Sequence, residues 1–145
     1  MKDEIPSRAD YRHFVPITTR WADNDVYGHV NNVTYYAYFD TAANRYLIDA
    51  GGLDIHADPV FGIVVESQCR YHAAVAFPEA LEAGVRVDRL GNRAVTYGIG
   101  IFREGEDTAA AHGHFVHVFV ERDSRRPTPI PDKIRRALEA IRVDV

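Results

Sequence analysis

Residues 31 to 52 read Asn31-Asn32-Val33-Thr34-Tyr35-Tyr36-Ala37-Tyr38-Phe39-Asp40-Thr41-Ala42-Ala43-Asn44-Arg45-Tyr46-Leu47-Ile48-Asp49-Ala50-Gly51-Gly52, and the apolar spacing in that stretch decides the fold class. Tyr35, Tyr36, Phe39, Ala42, Ala43, Tyr46, Leu47 and Ala50 recur at helical spacing and gather on one face. Thr34, Asp40, Thr41, Asn44, Arg45 and Asp49 fall on the other. Asn31 and Asn32 offer N-cap chemistry, and Gly51-Gly52 supplies a stop that tolerates a left-handed residue. A helix over about residues 32–50 would be roughly 27 Å long at ~1.5 Å per residue. Its aromatic face needs a broad apolar surface to cover it.

Outward from this helix, both flanks carry the period of strands. Val15, Ile17, Thr19 and Trp21 alternate with polar or small residues, as in a half-buried strand, before a break at Asp23-Asn24-Asp25 and Gly28. Beyond the helix, Ile63, Val65, Ser67, Cys69 and Tyr71 alternate with Val64, Glu66, Gln68, Arg70 and His72. Val85 and Val87 alternate with Arg86 and Asp88, and the turn Leu90-Gly91-Asn92 separates them from Val95, Tyr97, Ile99 and Ile101. Arg103 to Asp107, with Gly105, reads as a polar hairpin tip. A last strand follows from about Thr108 to Glu121, and Pro127, Pro129 and Pro131 end it. Lys133 to Arg142 has helical spacing, with Ile134, Leu138 and Ile141 on one side. Five strands with tight turns around one early helix argue for an α+β fold with an antiparallel sheet. The pattern alone leaves open whether the sheet curls around the helix.

The 145 residues suit one domain, and no repeat, low-complexity tract or linker divides residues 1–145. Hydrophobic residues make up 46% and charged residues 26%, the proportions of an ordinary soluble globular chain. The formal net charge of -4 provides no global basic field for nucleic acid or an anionic membrane. A lone cysteine, Cys69, cannot form an internal disulfide, in keeping with a reducing compartment. Met1 to Asp10 lacks the apolar run of a signal peptide, and no stretch reaches the length needed to span a bilayer. The expectation is a cytoplasmic protein without nucleic-acid or membrane partners.

The segment Arg20-Trp21-Ala22-Asp23-Asn24-Asp25-Val26-Tyr27-Gly28-His29-Val30-Asn31-Asn32, continuing to Tyr35, Tyr38 and Phe39, resembles the signature of hotdog thioesterases. More narrowly, it resembles the 4-hydroxybenzoyl-CoA thioesterase-like group of acyl-CoA hydrolases. Similarity continues at Tyr71, Phe77-Pro78, Arg89-Leu90-Gly91-Asn92 and Pro129-Ile130-Pro131, so it spans nearly the whole chain in order. The resemblance implies a curved antiparallel sheet wrapped around the long helix. It also implies a homodimer or homotetramer in which two sheets join edge to edge, with active sites near the subunit interface. The implied reaction converts an acyl-CoA to a free acid and CoA without a cofactor, CoA being part of the substrate.

Thioester hydrolysis needs a group that polarises the carbonyl, a group that attacks or activates water, and shelter for the acyl chain. Free N–H groups at a helix start, near Asn31 and Asn32, suit the first need. The resemblance places the key N–H at about Asn32. Gly28 lets the backbone turn sharply beside a ligand. Asp25 matches the family's catalytic carboxylate, and either attacks the thioester or acts as general base. Without the surrounding block, Asp25 would read as a turn-forming residue bonded to its own backbone. Asp23, two residues earlier, would share a face with Asp25 if the strand continued, and the resemblance makes it structural.

His29 is assigned either loop orientation or proton transfer. In related plant acyl-carrier-protein thioesterases the block holds Asp, Asn and His, and here Tyr27 replaces the Asn. Tyr35, with Tyr36, Phe39 and Phe61, lines an acyl pocket or simply packs the core. Arg89 and Arg93 flank the Leu90-Gly91-Asn92 turn, where the resemblance puts contacts to the CoA nucleotide; as residues they read equally as solvated charges. Arg125 and Arg126 form a second basic pair, and Ala94 replaces a serine common among relatives. No metal is expected: His112 and His114 share a strand face, but nothing completes a ligand set. Cys69 reads as a packed thiol and Glu66 as a solvated carboxylate. A hydroxyacyl dehydratase would need a His and Glu pair that the helix lacks. The alternatives are a non-catalytic acyl-CoA binding protein and an acyl-carrier-protein thioesterase.

Overall fold

A computed structural model describes residues 4–143. Strand β1 (His13–Thr18) precedes α1 (Thr34–Asp49); β2 (Val60–Tyr71), β3 (Ala80–Leu90), β4 (Ala94–Arg103) and β5 (Ala111–Glu121) follow, with α2 (Asp132–Ala140) last. The strands pair antiparallel in the order β1-β3-β4-β5-β2. The sheet curves around α1, as the hotdog resemblance implies. Tyr35, Tyr38, Phe39, Ala42, Ala43, Tyr46 and Leu47 of the helix pack on Val85, Val87, Tyr97, Ile99, Ile101, Phe115 and Phe119 of the sheet. A smaller cluster of Tyr11, Phe102, Ala109 and Phe14 forms separately. Tyr11 lies on the glycine pair Gly84 and Gly100, where an added Cβ would come within 2.8 and 2.7 Å of its ring.

Four expectations change. The helix begins at Thr34, because Asn31 is engaged in a turn in which its side-chain oxygen accepts the Val33 N–H at 3.1 Å. Tyr38, rather than Tyr36, is buried, since the stripe that starts at Tyr35 runs through positions three and four residues on; Ala50 is exposed because it lies past the last helical residue, Asp49. Trp21 is 81% exposed, because a 3₁₀ turn over Trp21–Asp23 ends the extended chain. Strand β5 starts at Ala111, not Thr108, since Thr108 bridges Ser7 and the Ala109 N–H bonds to Pro6.

Strand β2 departs most from its alternation. It is the outermost strand, and a bulge falls between Val64 and Glu66, so Ile63, Val64 and Val65 are all exposed. The opposite edge, β1, carries Pro16, which has no N–H to offer a further strand. Gly52 takes a left-handed φ of 67° just beyond α1, and Gly105 one of 83° at the hairpin tip. Among the described residues, no helix is long and apolar enough to cross a membrane.

Candidate active site

The loop from Arg20 to Asn32 is held from inside by Asp23. Its side chain is 1% exposed and accepts the Arg20 N–H at 2.9 Å, the Arg20 guanidinium at 2.8 and 3.0 Å, and the Tyr38 hydroxyl at 2.8 Å. Burial raises the Asp23 pKa, but the Arg20 backbone, Tyr38 and the guanidinium together outweigh it and hold the carboxyl below its ordinary value. The Asp23 carbonyl accepts the Asn31 N–H at 2.9 Å, joining the two ends of the loop. Asp23 and Asp25 therefore do not share a face: the 3₁₀ turn sends Asp23 inward, and Asp25 emerges into a cleft.

Three bonds sew the same loop to the segment between β2 and β3. The Phe77 N–H donates to the Asn24 side chain at 3.0 Å, the Val30 N–H to Val75 at 2.8 Å, and the Thr19 hydroxyl to Glu79 at 2.7 Å. Arg103 fixes that segment in turn through Glu79 and the Ala74 carbonyl.

Within the loop, one Asp25 oxygen accepts the Tyr27 N–H at 2.9 Å, the short-range bond of a turn-forming aspartate. The other has no hydrogen-bond partner among the described residues. The Asp25 N–H donates to His29 at 3.0 Å and its carbonyl accepts the Gly28 N–H at 3.1 Å; the φ of 91° at Gly28 closes the turn. Asn32 stands two residues ahead of α1. Its N–H has no acceptor among the described residues, and its carbonyl accepts the Tyr71 hydroxyl at 2.9 Å.

Asp25, Gly28, His29, Asn31, Asn32 and Tyr35 thus come together around one loop. A cleft of about 580 Å³ takes in Asp25, Tyr27, His29, Asn31, Asn32, Tyr35, Tyr71 and His72. A second, of about 620 Å³, shares Asp25, Tyr27 and Asn31 with the first and is also lined by Trp21, Val26 and Gly28. Tyr35 and Tyr71 meet edge to face at 5.1 Å and form an aromatic wall of the first. The His29 ring is exposed at its mouth. A carboxylate oxygen and an unengaged N–H near a helix start can act on a carbonyl held between them.

The structure does not bring Arg89 and Arg93 to this cleft within one chain. They flank the turn at the end of β3, and the loop lies near its start; the eleven-residue strand lies between, and its ten residue steps span about 33 Å at roughly 3.3 Å each. Arg125 and Arg126 share the distant end, at the close of β5. Phe61 lies there too, with the Arg122 and Arg125 guanidinium groups 4.8 and 5.1 Å from its ring centre.

Four other histidines have partners that sequence spacing did not reveal. His112 meets His72 at 2.7 Å, His114 meets Glu66 at 2.6 Å, and buried His117 meets the Tyr97 hydroxyl at 3.1 Å. His112 and His114 turn to different neighbours, and among the described residues no three metal-binding side chains converge. Cys69 is half-buried, and burial pushes its thiol up to about 11, away from nucleophilic use near neutrality. Tyr71 and Asn24 belong to the stretches that carry the resemblance, but it assigns no role to either; the cross-chain bonds supply one.

Comparison with known proteins gives a consistent result. The PA5185 protein of Pseudomonas aeruginosa strain PAO1 superposes with a TM-score of 0.94 at 59% identity, covering 96% of this chain and 97% of that one. YsmA of Bacillus subtilis (strain 168) is 25% identical over 132 residues, 90% of this chain and 88% of its own. In fold alone, Slr0204, a 1,4-dihydroxy-2-naphthoyl-CoA thioesterase from Synechocystis, is similar with a TM-score of 0.76 at 16% identity, covering 86% of this chain and 93% of that one. The model of the thioesterase-like superfamily matches residues 19–138, a span that holds the Asp25 loop, α1 and every strand after β1. By sequence and by fold, this chain belongs to the thioesterase-like superfamily.

Proposed function

We propose that the chain hydrolyses an acyl-CoA thioester to a free carboxylic acid and CoA. The observation that carries this reading is that Asp25, with one carboxylate oxygen unengaged among the described residues, and Asn32, whose N–H has no acceptor among them, line one cleft. The thioester oxygen takes the Asn32 N–H, with Asn31 holding that peptide in place, and the positive end of α1 favours the charge that develops. Asp25 either attacks the carbonyl carbon or removes a proton from an attacking water. In the first course CoA leaves as thiolate, and water then hydrolyses the acyl-aspartyl anhydride. In the second, water attacks directly and the thiolate departs from the tetrahedral intermediate. Gly28 gives the substrate close access to the backbone, Tyr35 walls the acyl group, and His29 orients the loop or carries the proton. CoA as carrier is supported by the Synechocystis relative, which acts on a CoA thioester.

A dimer completes the proposal. Strand β2 leaves twelve residues of backbone and the side chains of Ile63, Val64 and Val65 open at the sheet edge, where native proteins seldom leave a long apolar strand uncovered. Pairing of two β2 edges about a twofold axis normal to the sheet runs the strands antiparallel. The basic end of one protomer, with Arg89 and Arg93, then lies beside the partner's Asp25 cleft, which suits the CoA phosphates.

The turn bond at Asp25 favours one other reading, a non-catalytic acyl-CoA binding protein in which the carboxylate only shapes the loop. Thiol release from acyl-CoA and acyl-carrier-protein thioesters decides between them. The wild type should turn over at least one, preferring CoA, and Asp25→Asn should lower kcat by about 10²–10⁴. Full activity in Asp25→Asn would remove Asp25 from catalysis. Tight binding without turnover would establish the binding protein.

A further inference from the structure

We propose that Tyr71 is a positioning residue that aims the Asn32 N–H at the thioester carbonyl. The inference rests on the hydrolytic reading of the cleft and names a part of it that the catalytic loop does not itself contain.

Asn32 lies in neither helix nor strand, so the direction of its N–H depends on the two peptide groups that flank it. The first, between Asn31 and Asn32, is held by the Thr34 N–H, which donates to the Asn31 carbonyl at 2.9 Å. In the second, between Asn32 and Val33, the Val33 N–H donates to the Asn31 side chain at 3.1 Å. These restraints come from neighbours in sequence and would move with the loop. The Asn32 carbonyl is different. A regular helix would have it accept the Tyr36 N–H, but that group donates to Val33 at 3.2 Å. The Tyr71 hydroxyl, from the end of β2, takes its place at 2.9 Å. It is the bond that ties the Asn32 peptides to the sheet.

The ring is fixed at both ends. It meets the Tyr35 ring edge to face at 5.1 Å, with Tyr35 buried against the core, and its hydroxyl is on Asn32. Removing the hydroxyl therefore leaves the wall of the cleft and frees the carbonyl. Because Tyr71 is 45% exposed, water can take the vacated site, so the fold survives while the aim of the donor loosens. Loss of a whole oxyanion donor costs about 10²–10³ in kcat, and loss of its alignment should cost less, about 5- to 30-fold.

The test compares wild type, Tyr71→Phe, Asp25→Asn and the double variant, with benzoyl-, acetyl- and octanoyl-CoA as substrates. Tyr71→Phe should lower kcat by about 5- to 30-fold while KM, and the Kd of the non-hydrolysable thioether benzyl-CoA, stay within about twofold. The infrared stretch of the benzoyl-CoA carbonyl, bound to Asp25→Asn, should sit below its value in water and return towards that value in the double variant. A purely structural role would move melting temperature, KM or Kd and leave the carbonyl stretch in place. If the wild type turns over substrate, an unchanged kcat in Tyr71→Phe, or a stretch in the double variant equal to that in Asp25→Asn, overturns the assignment of Tyr71 and leaves the hydrolase standing. Absence of turnover in the wild type with all three thioesters overturns both.

Discussion

Lowering the pH from 7 to 5 should destabilise the protein through one core histidine, His117. It is 1% exposed on β5, ringed by Phe115 and Phe119, with its Nδ1 3.1 Å from the Tyr97 hydroxyl. The β2 backbone presses on the ring: a Cβ at Gly62 would lie 2.9 Å from Nδ1. Burial pushes its pKa down from 6.5 to about 4, so the folded protein holds the neutral ring well into the acid range. The unfolded chain binds a proton near 6.5 and the folded one only near 4, so stability falls as pH drops between those values. At about 1.36 kcal/mol per unit, the full loss is roughly 3.4 kcal/mol, of which about 2 kcal/mol is felt between pH 7 and pH 5. Urea unfolding of wild type and His117→Gln at both pH values, at one protein concentration, measures it. The variant is less stable at pH 7 but should lose about 2 kcal/mol less than wild type on acidification. Equal pH dependence in the two proteins, within about 0.5 kcal/mol, would show that the ring protonates inside the fold or that the core opens to admit water.

Two further outcomes follow from other parts of the molecule. Asp23→Ala strands the buried Tyr38 hydroxyl, while the Arg20 side chain, 72% exposed, falls back into water; the expected loss is about 2–3 kcal/mol at pH 7. Because the folded Asp23 pKa is depressed, its contribution is complete above the ordinary carboxylate value of 3.8 and disappears as pH falls through the folded value. Denaturation curves of wild type and variant should therefore converge in acid, and a constant gap would refute the assignment of the loss to the carboxylate. Val64→Lys places a charge on the open β2 edge and should convert a dimer to a monomer by light scattering; an unchanged mass would exclude edge-to-edge pairing there.

Much of this architecture was legible because periodicity reports burial. The stripe from Tyr35 to Leu47, the antiparallel strands and the closing helix with Ile134 and Leu138 all repeat at the spacing of their element. The exceptions are local. Alternation in β2 implied one buried face, but alternation carries no information about which strand ends at the edge of a sheet. Tyr36 and Tyr38 differ by two positions, and only the completed stripe shows which turns inward. At the site, Asp25 and Asn32 stood out because the block from Arg20 to Asn32 resembles the signature of hotdog thioesterases, and Gly28 because it permits a sharp turn between them. Tyr71 and Asn24 act across the chain, and the distance of Arg89 and Arg93 from the cleft follows from strand length, which a list of motifs does not measure.

The bonds that shape the Asp25 loop also set the order in which the candidate site is assembled. Those from Tyr71, Phe77 and Glu79 cross 39, 53 and 60 residues of chain. Contacts of such separation form only after the intervening chain has paid its closure entropy, so local helix formation in α1 precedes them. A molecule with α1 formed, but with the segment from Tyr71 to Glu79 undocked, carries Asp25 on an unshaped loop opposite a donor with no fixed direction. Such a molecule is folded in part and silent in chemistry. With the proposed site, activity would report the last stage of folding, and a nascent chain would begin to consume thioesters only once its sheet is closed.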